Sequence, residues 1–236
     1  MSEQNNIGGP QHVGPQRSVK VWDLPVRLFH WLLVALFLFM FFSGKQKGNW
    51  MEWNMYAGYM ILALVIFRIM WGFAGSSYAR FSSFIAGPGR SIEFAKKLLS
   101  RSPAHVAGHN PLGGWMVLIL ILALLVQAAT GMFANDDISI EGPLYKFVSK
   151  ELSDRLTAIH YYNFNLLLAL AGVHIAAVLF HVFVKKENLV TAMFTGKKNL
   201  DAGTEVSVAR FASSWLALGL FVLALVAVCL IVKRPF

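Results

Sequence analysis

His160–His181 reads HYYNFNLLLALAGVHIAAVLFH, a stretch with no charged residue and three histidines. A hydrocarbon core asks for about 20 apolar residues in a helix, so this segment is long enough to cross a membrane. Its imidazoles are polar groups that hydrocarbon penalises unless they find partners. At about 100° per residue, the step from His160 to His174 falls about 40° short of four turns and the step to His181 about 20° short of two. All three therefore share one face. The step from His160 to His174 also rises about 21 Å, so a single helix offers imidazoles at two depths.

The remaining sequence agrees with a membrane protein. Of 236 residues, 56% are hydrophobic and 14% charged, against roughly 25% charged in a soluble domain. That composition excludes a soluble enzyme. The 19 Phe and 7 Trp suit lipid contact and the headgroup boundary. The lone cysteine, Cys229, excludes a disulfide framework, a cysteine zinc site and an iron–sulfur cluster held by this chain's own thiolates. Redox chemistry would need another device.

Charge-poor windows at about 28–44, 53–73, 112–135, 156–184 and 211–232 predict five spans. The second continues through Arg68 to complete its length. Lys and Arg concentrate on the inner side of a membrane. The segment 75–111 holds five (Arg80, Arg90, Lys96, Lys97, Arg101) against one acid, and 185–210 again holds five against three acids. Residues 136–155 reverse the balance, with five acids (Asp136, Asp137, Glu141, Glu151, Asp154) against three bases. This predicts a cytoplasmic N-terminus, an acidic outer loop and an outer C-terminus. The net charge of +9 follows from that topology, and nucleic acid is not indicated. Residues 87–102 alternate apolar and basic side chains after a Pro-Gly break, which predicts a short helix on the inner surface. Residues 1–18 begin Gly-, Pro- and Gln-rich and are expected to form a disordered inner tail.

Four histidines sit in or near the spans. His30 lies inside the inner end of the first, while His160, His174 and His181 lie on the fourth. An unpartnered imidazole flanked by Val173, Ile175, Ala176 and Ala177 would strand a polar group in hydrocarbon. Haem iron accepts neutral imidazole axially, and two helices giving one His each at matched depth can hold a haem edge-on. His160 and His181, near helix ends, are equally readable as interfacial residues. Arg68 has two readings as well: snorkelling to the inner interface, or pairing with a haem propionate.

Several motifs carry a more specific likeness. VWDLPVRLFHW around His30, GYMILALVIFRIMWGFAG with the following RFSSF, GHNPLGG, and the His160–His181 run followed by ENLVTAMFTGKK resemble the bacterial cytochrome b-561 family. That family includes the b-type cytochrome subunits of nickel–iron hydrogenases, and the likeness covers Val19 to Lys198. It implies an all-α membrane protein, with a four-helix transmembrane haem-binding bundle at 19–198. A linker and fifth C-terminal transmembrane helix at 199–236 lie outside the resemblance.

The resemblance also implies two b-type haems, one per leaflet, each bound by two histidines. The inner haem would take His30 and His174. The outer haem would take His160 and a histidine at the start of the second span, where this chain has Asn54. Three arrangements follow there: no outer haem, a five-coordinate haem on His160, or a thioether from Met51 or Met55, which would raise the potential. The resemblance sets His109 near the inner haem, although a helix-start turn also explains its Asn-Pro neighbours. His181 would support the inner face near a propionate or a quinone.

The expected function is that of a b-type cytochrome in a bacterial inner membrane. It would relay electrons between the quinone pool and an outer-face redox protein, such as a c-type cytochrome or a dehydrogenase or hydrogenase subunit, docked on residues 136–155. Two other readings stand beside it. One is a haem-dependent oxidoreductase acting on a small molecule such as superoxide with quinone as co-substrate. The other is a haem-carrying anchor subunit of a larger redox complex.

Overall fold

The computed structural model of the chain describes residues 16–46, 50–99, 108–138, 140–201 and 209–233, with the side chains of residues 16, 99 and 201 excepted. Five helices are long and apolar enough to cross a membrane: α1 (Leu24–Ser43), α2 (Trp50–Ala74), α5 (Pro111–Gly131), α6 (Lys150–Phe183) and α8 (Ser214–Val232). Two short helices, α3 (Phe81–Phe84) and α4 (Pro88–Leu99), lie between α2 and α5, and α7 (Leu189–Thr195) follows α6. Strands β1 (Gln16–Lys20) and β2 (Lys197–Asp201) pair antiparallel, with Gln16 opposite Asp201 and Lys20 opposite Lys197. The spans are antiparallel in turn, so β1, β2, α3, α4 and α7 gather at one end of the bundle. That end is called the His30 end, and the opposite one the His160 end.

Helix starts follow from capping chemistry. Asp23 caps α1 by accepting from Val26 N at 2.8 Å, with Pro25 in the first turn. Asn110 caps α5 with Pro111 in its first turn, and Ser149 caps α6. Proline there loses a donor that has no helical partner anyway.

α2 is the central helix. Of its most apolar window 56% is buried, against 11–22% in the other spans. Leu64, Phe67 and Trp71 face α1 and α8 in one core cluster, whereas Ile61 and Val65 face Ile121 and Leu124 of α5 in another. Lipid tails are as apolar as these side chains, so close packing rather than water exclusion holds such helices together. Ala217, Ala224 and Val228 let α8 lie close along α2, where Phe67 and Phe221 meet edge to face at 5.9 Å. The chain before α8 is pinned beside the end of α2: Ser77 N donates to Arg210 O at 2.9 Å and Ala212 N to Ser76 Oγ at 3.0 Å. The fifth span is thus an integral part of the bundle.

Four boundaries differ from expectation. The 1–18 tail is shorter than its composition suggests, because Gln16, Arg17 and Ser18 belong to β1. The 198/199 division falls inside β2 for the same reason. Neither QRSVK nor KKNLD has a strand-like alternation, and each is a strand only because the other is present. The fourth span starts earlier, since residues 150–155 continue the helix outside any apolar window, supported by ion pairs Lys150–Asp154 at 2.6 Å and Arg155–Glu151 at 2.5 Å. The third ends earlier, at Gly131, where the chain turns into an isolated bridge between Asn135 and Glu141. The predicted surface helix is α4. Residues 1–15 of the tail, 100–102 of that helix and Arg234 lie outside the described residues.

The two-stranded strap is joined to α1 through Gly196, whose carbonyl accepts from Val21 N and Trp22 N at 2.8 and 3.1 Å. Gly196 has φ +78°, and a Cβ there would lie 2.7 Å from Trp22 O. Only glycine fits without displacing that junction. Asp23 is the neighbouring pin, since its second oxygen accepts from Trp71 Nε1 at 3.0 Å. Asp23→Ala removes a cap and leaves a buried indole N–H without a partner, so it is expected to cost about 2–3 kcal/mol. A lowered unfolding temperature of the detergent-solubilised protein measures this.

Candidate functional site

The His30 end gathers most of the residues singled out in the sequence. His30 on α1 and His174 on α6 face one another with ring centroids 6.5 Å apart and planes tilted by 56°. Two imidazoles sharing one metal ion would have centroids about 6 Å apart, given metal–nitrogen bonds of about 2.0 Å. His30 Nδ1 is buried and has no hydrogen-bond partner among the described residues. α1 packs along α2, and α6 along α5. The facing walls of α1 and α6 meet through side chains, with Phe37 and Phe41 each 6.3–6.5 Å from the ring of Phe164. The two facing imidazoles are spaced to hold a metal centre between them.

Arg68 lies at the same end of the bundle. Its side chain is only 2% exposed, so it does not snorkel. The guanidinium stands 5.4 Å over the Phe81 ring and 5.9 Å over Phe84, and Nη1 lacks a hydrogen-bond partner. Aromatic faces stabilise a cation but leave its N–H groups unused.

His109, just before α5, is held between Trp22 at 4.5 Å and Phe84 at 4.7 Å, and its Nδ1 is also unpartnered. Burial, then the charge of Arg68, then Lys198 and His174, push its pKa down to about 3. It is therefore a neutral ring at neutral pH. Tyr78 was not singled out in the sequence, yet its hydroxyl is the fourth buried polar atom without a partner among the described residues. A Tyr in the single 3₁₀ turn Ser77–Ala79 carries no periodic signal, and only the orphaned oxygen reveals it. Orphaned buried groups are rare in folded proteins, and each asks for an explanation. Here all four belong to residues of the His30 end. Anionic oxygens of a bound group would satisfy the arginine and hydroxyl, and a metal would engage an imidazole nitrogen.

His181 stands apart from this set. Its Nδ1 is 2.9 Å from Glu187 Oε2, and Lys198 pairs with the other oxygen of Glu187. The trio fastens β2 to the end of α6. Burial alone would push Glu187 up, but His181 and Lys198 outweigh it and hold the carboxyl down at about 2.

His160 is at the opposite end, turned toward α5, with Gln127 and Thr130 as its partners. Asn54 is bonded to α1, donating to Met40 O at 3.1 Å and Ser43 Oγ at 2.9 Å. Among the described residues, no group of three or more His, Cys, Asp or Glu forms an all-protein metal cage.

Residues 21–196 match the family described as prokaryotic cytochrome b561. Among curated proteins, the chain is 26% identical over 217 residues to the "Probable Ni/Fe-hydrogenase B-type cytochrome subunit" of Rhizobium leguminosarum bv. viciae, covering 78% of this chain and 90% of the relative. Proteins of the same description from Azotobacter vinelandii (25% over 150 residues, 52% of this chain and 62% of the relative) and Bradyrhizobium diazoefficiens (22% over 227 residues, 82% and 90%) are also similar. No solved structure matches the chain. The chain belongs to the prokaryotic cytochrome b561 family and is a multi-pass membrane cytochrome of the b type, a haem b protein of electron transport.

The Glu187 trio predicts a pH signature. A carboxyl held near 2 in the fold, against an ordinary value of 4.5, contributes stability at neutral pH that begins to fall below about pH 4.5 and is gone once the pH passes below about 2. Between pH 5 and pH 3 the unfolding temperature of the wild type should drop more steeply than that of Glu187→Gln.

Proposed function

We propose that His30 on α1 and His174 on α6 would together hold the iron of a haem b. In this reading the protein relays electrons between the membrane quinone pool and a partner redox protein. The observation that carries it is the buried, unpartnered His30 Nδ1 beside the facing ring of His174, with ring centroids 6.5 Å apart. When bound, haem supplies a one-electron iron couple whose potential depends on axial ligands, burial and nearby charge.

The protein's own residues do the positioning. Asp23 and Trp71 fix the start of α1, and with it the depth of His30. Arg68 Nη1, Tyr78 OH and His109 Nδ1 are free to meet the anionic edge of the haem, where a guanidinium binds carboxylates strongly. Phe81 and Phe84 shield that arginine from water. The His181–Glu187–Lys198 trio steadies the end of α6 two turns beyond His174.

The basic loops support a reading in which the His30 end lies on the cytoplasmic side of a bacterial inner membrane. The relatives' descriptions support a hydrogenase-type module as partner, with another dehydrogenase or a c-type cytochrome as alternatives of the same kind. The loop at 136–155, with its five carboxylates, is the surface suited to a basic redox protein on the outer side. Those relatives are named as subunits, which also favours a membrane-anchoring role within a larger complex.

In the purified full-length protein, His30→Ala and His174→Ala should each abolish the reduced b-type spectrum while helical circular dichroism persists. A normal spectrum in either variant overturns the assignment. Arg68→Leu should retain haem less firmly and lower its midpoint potential, by about 59 mV for each ~1.4 kcal/mol of lost charge interaction. Redox titration measures the shift.

A further inference from the structure

We infer that this cytochrome carries one haem per chain, and that its His160 half is closed by a hydrogen-bonded clamp where a second haem would otherwise lie. The inference rests on the haem reading of the His30 end and adds the stoichiometry.

The hydrogen-bond directions in the clamp can be assigned atom by atom. The Gln127 carbonyl can only accept, so His160 Nδ1, at 2.9 Å, carries the proton and donates to it. The other ring nitrogen, Nε2, then bears the lone pair, and the Gln127 side-chain amide donates to it at 3.0 Å. That lone pair is the one an iron would need. The amide is oriented in turn by Asn163, whose Nδ2 donates to Gln127 Oε1 at 2.7 Å and to Ala123 O at 2.9 Å. Thr130 closes the ring, with its hydroxyl 3.3 Å from His160 Nδ1 while donating to Val126 O at 2.7 Å. A Cβ on Gly131 would come within 2.8 Å of the His160 ring. The imidazole is thus seated against the backbone of α5, with no thickness left for a porphyrin on that side.

The opposing position is equally committed. Asn54 uses its amide to join α2 to the end of α1, and its acceptor Ser43 is 1% exposed. Each of these polar groups is satisfied within the protein, in contrast to the four orphaned groups at the His30 end. A second ligand pair does not fit here. A thioether from Met51 or Met55 would find no free imidazole opposite, and His160 offers no open five-coordinate iron for a small oxidant. An electron exchanged with a partner on the 136–155 loop would cross the His160 half from the single haem, with no second cofactor between.

The test is the haem-to-protein ratio of the purified full-length protein, by pyridine haemochrome against quantitative amino-acid analysis. A ratio near one is expected, and a ratio near two overturns the inference. His160→Ala should leave the ratio and the reduced spectrum unchanged, whereas loss of haem from this variant overturns the inference. Should His160→Ala not accumulate, His160→Gln, which can still bond to Gln127, carries the same test. A folded wild type with no haem at all would instead defeat the haem reading of the His30 end.

Discussion

A polar group inside hydrocarbon must find a partner or cost several kcal/mol by the usual estimate, and every notable feature of this bundle is a response to that constraint. The backbone answers it by being helical throughout the spans. Side chains answer it in two ways, one at each end. At the His160 end, imidazole, amides and hydroxyls saturate one another. At the His30 end, a buried guanidinium, two imidazoles and a phenol keep atoms unused. The contrast separates a structural use of polar residues from a receptive one.

Receptive sites need rigid surroundings, because unused groups would otherwise rotate to pair with each other. Aromatic rings supply the rigidity here. Trp22 and Phe84 hold His109 between them, Phe81 and Phe84 lie against Arg68, and Trp71 is bound to the carboxylate that caps α1. The carboxylate of Asp23 serves three purposes at once: it starts a helix, anchors an indole, and is the acid whose charge acts on Arg68.

Much of this was legible in the sequence, and the reasons are physical. Apolar runs fix the spans because bilayer thickness fixes their length, and the common face of His160, His174 and His181 follows from helical pitch. The pairing of His30 with His174 was anticipated from their depth and from the family likeness. Other features were not legible. The strap formed by residues 16–20 and 197–201 has no local signature, since its strands exist only as a pair. Tyr78 sits in a single 3₁₀ turn. The orientation of His160 depends on Gln127, a residue whose significance lies in two hydrogen bonds that no periodicity announces. The roles of His181 and His160 therefore diverged only when their partners were located, one with Glu187 and the other with α5.

The strap has a consequence for biogenesis. β1 precedes the first span, but its only strand partner, β2, emerges after the fourth, and the glycine that receives Val21 and Trp22 emerges just before it. During synthesis the leading segment has no strand partner until four helices have been made. Closure of this clasp then marks the moment at which α1 and the end of α6 are fixed relative to each other. A nascent chain stopped before residue 196 would have both walls of the cleft but no fastening between its first and last turns, which makes the clasp a natural checkpoint ahead of cofactor loading.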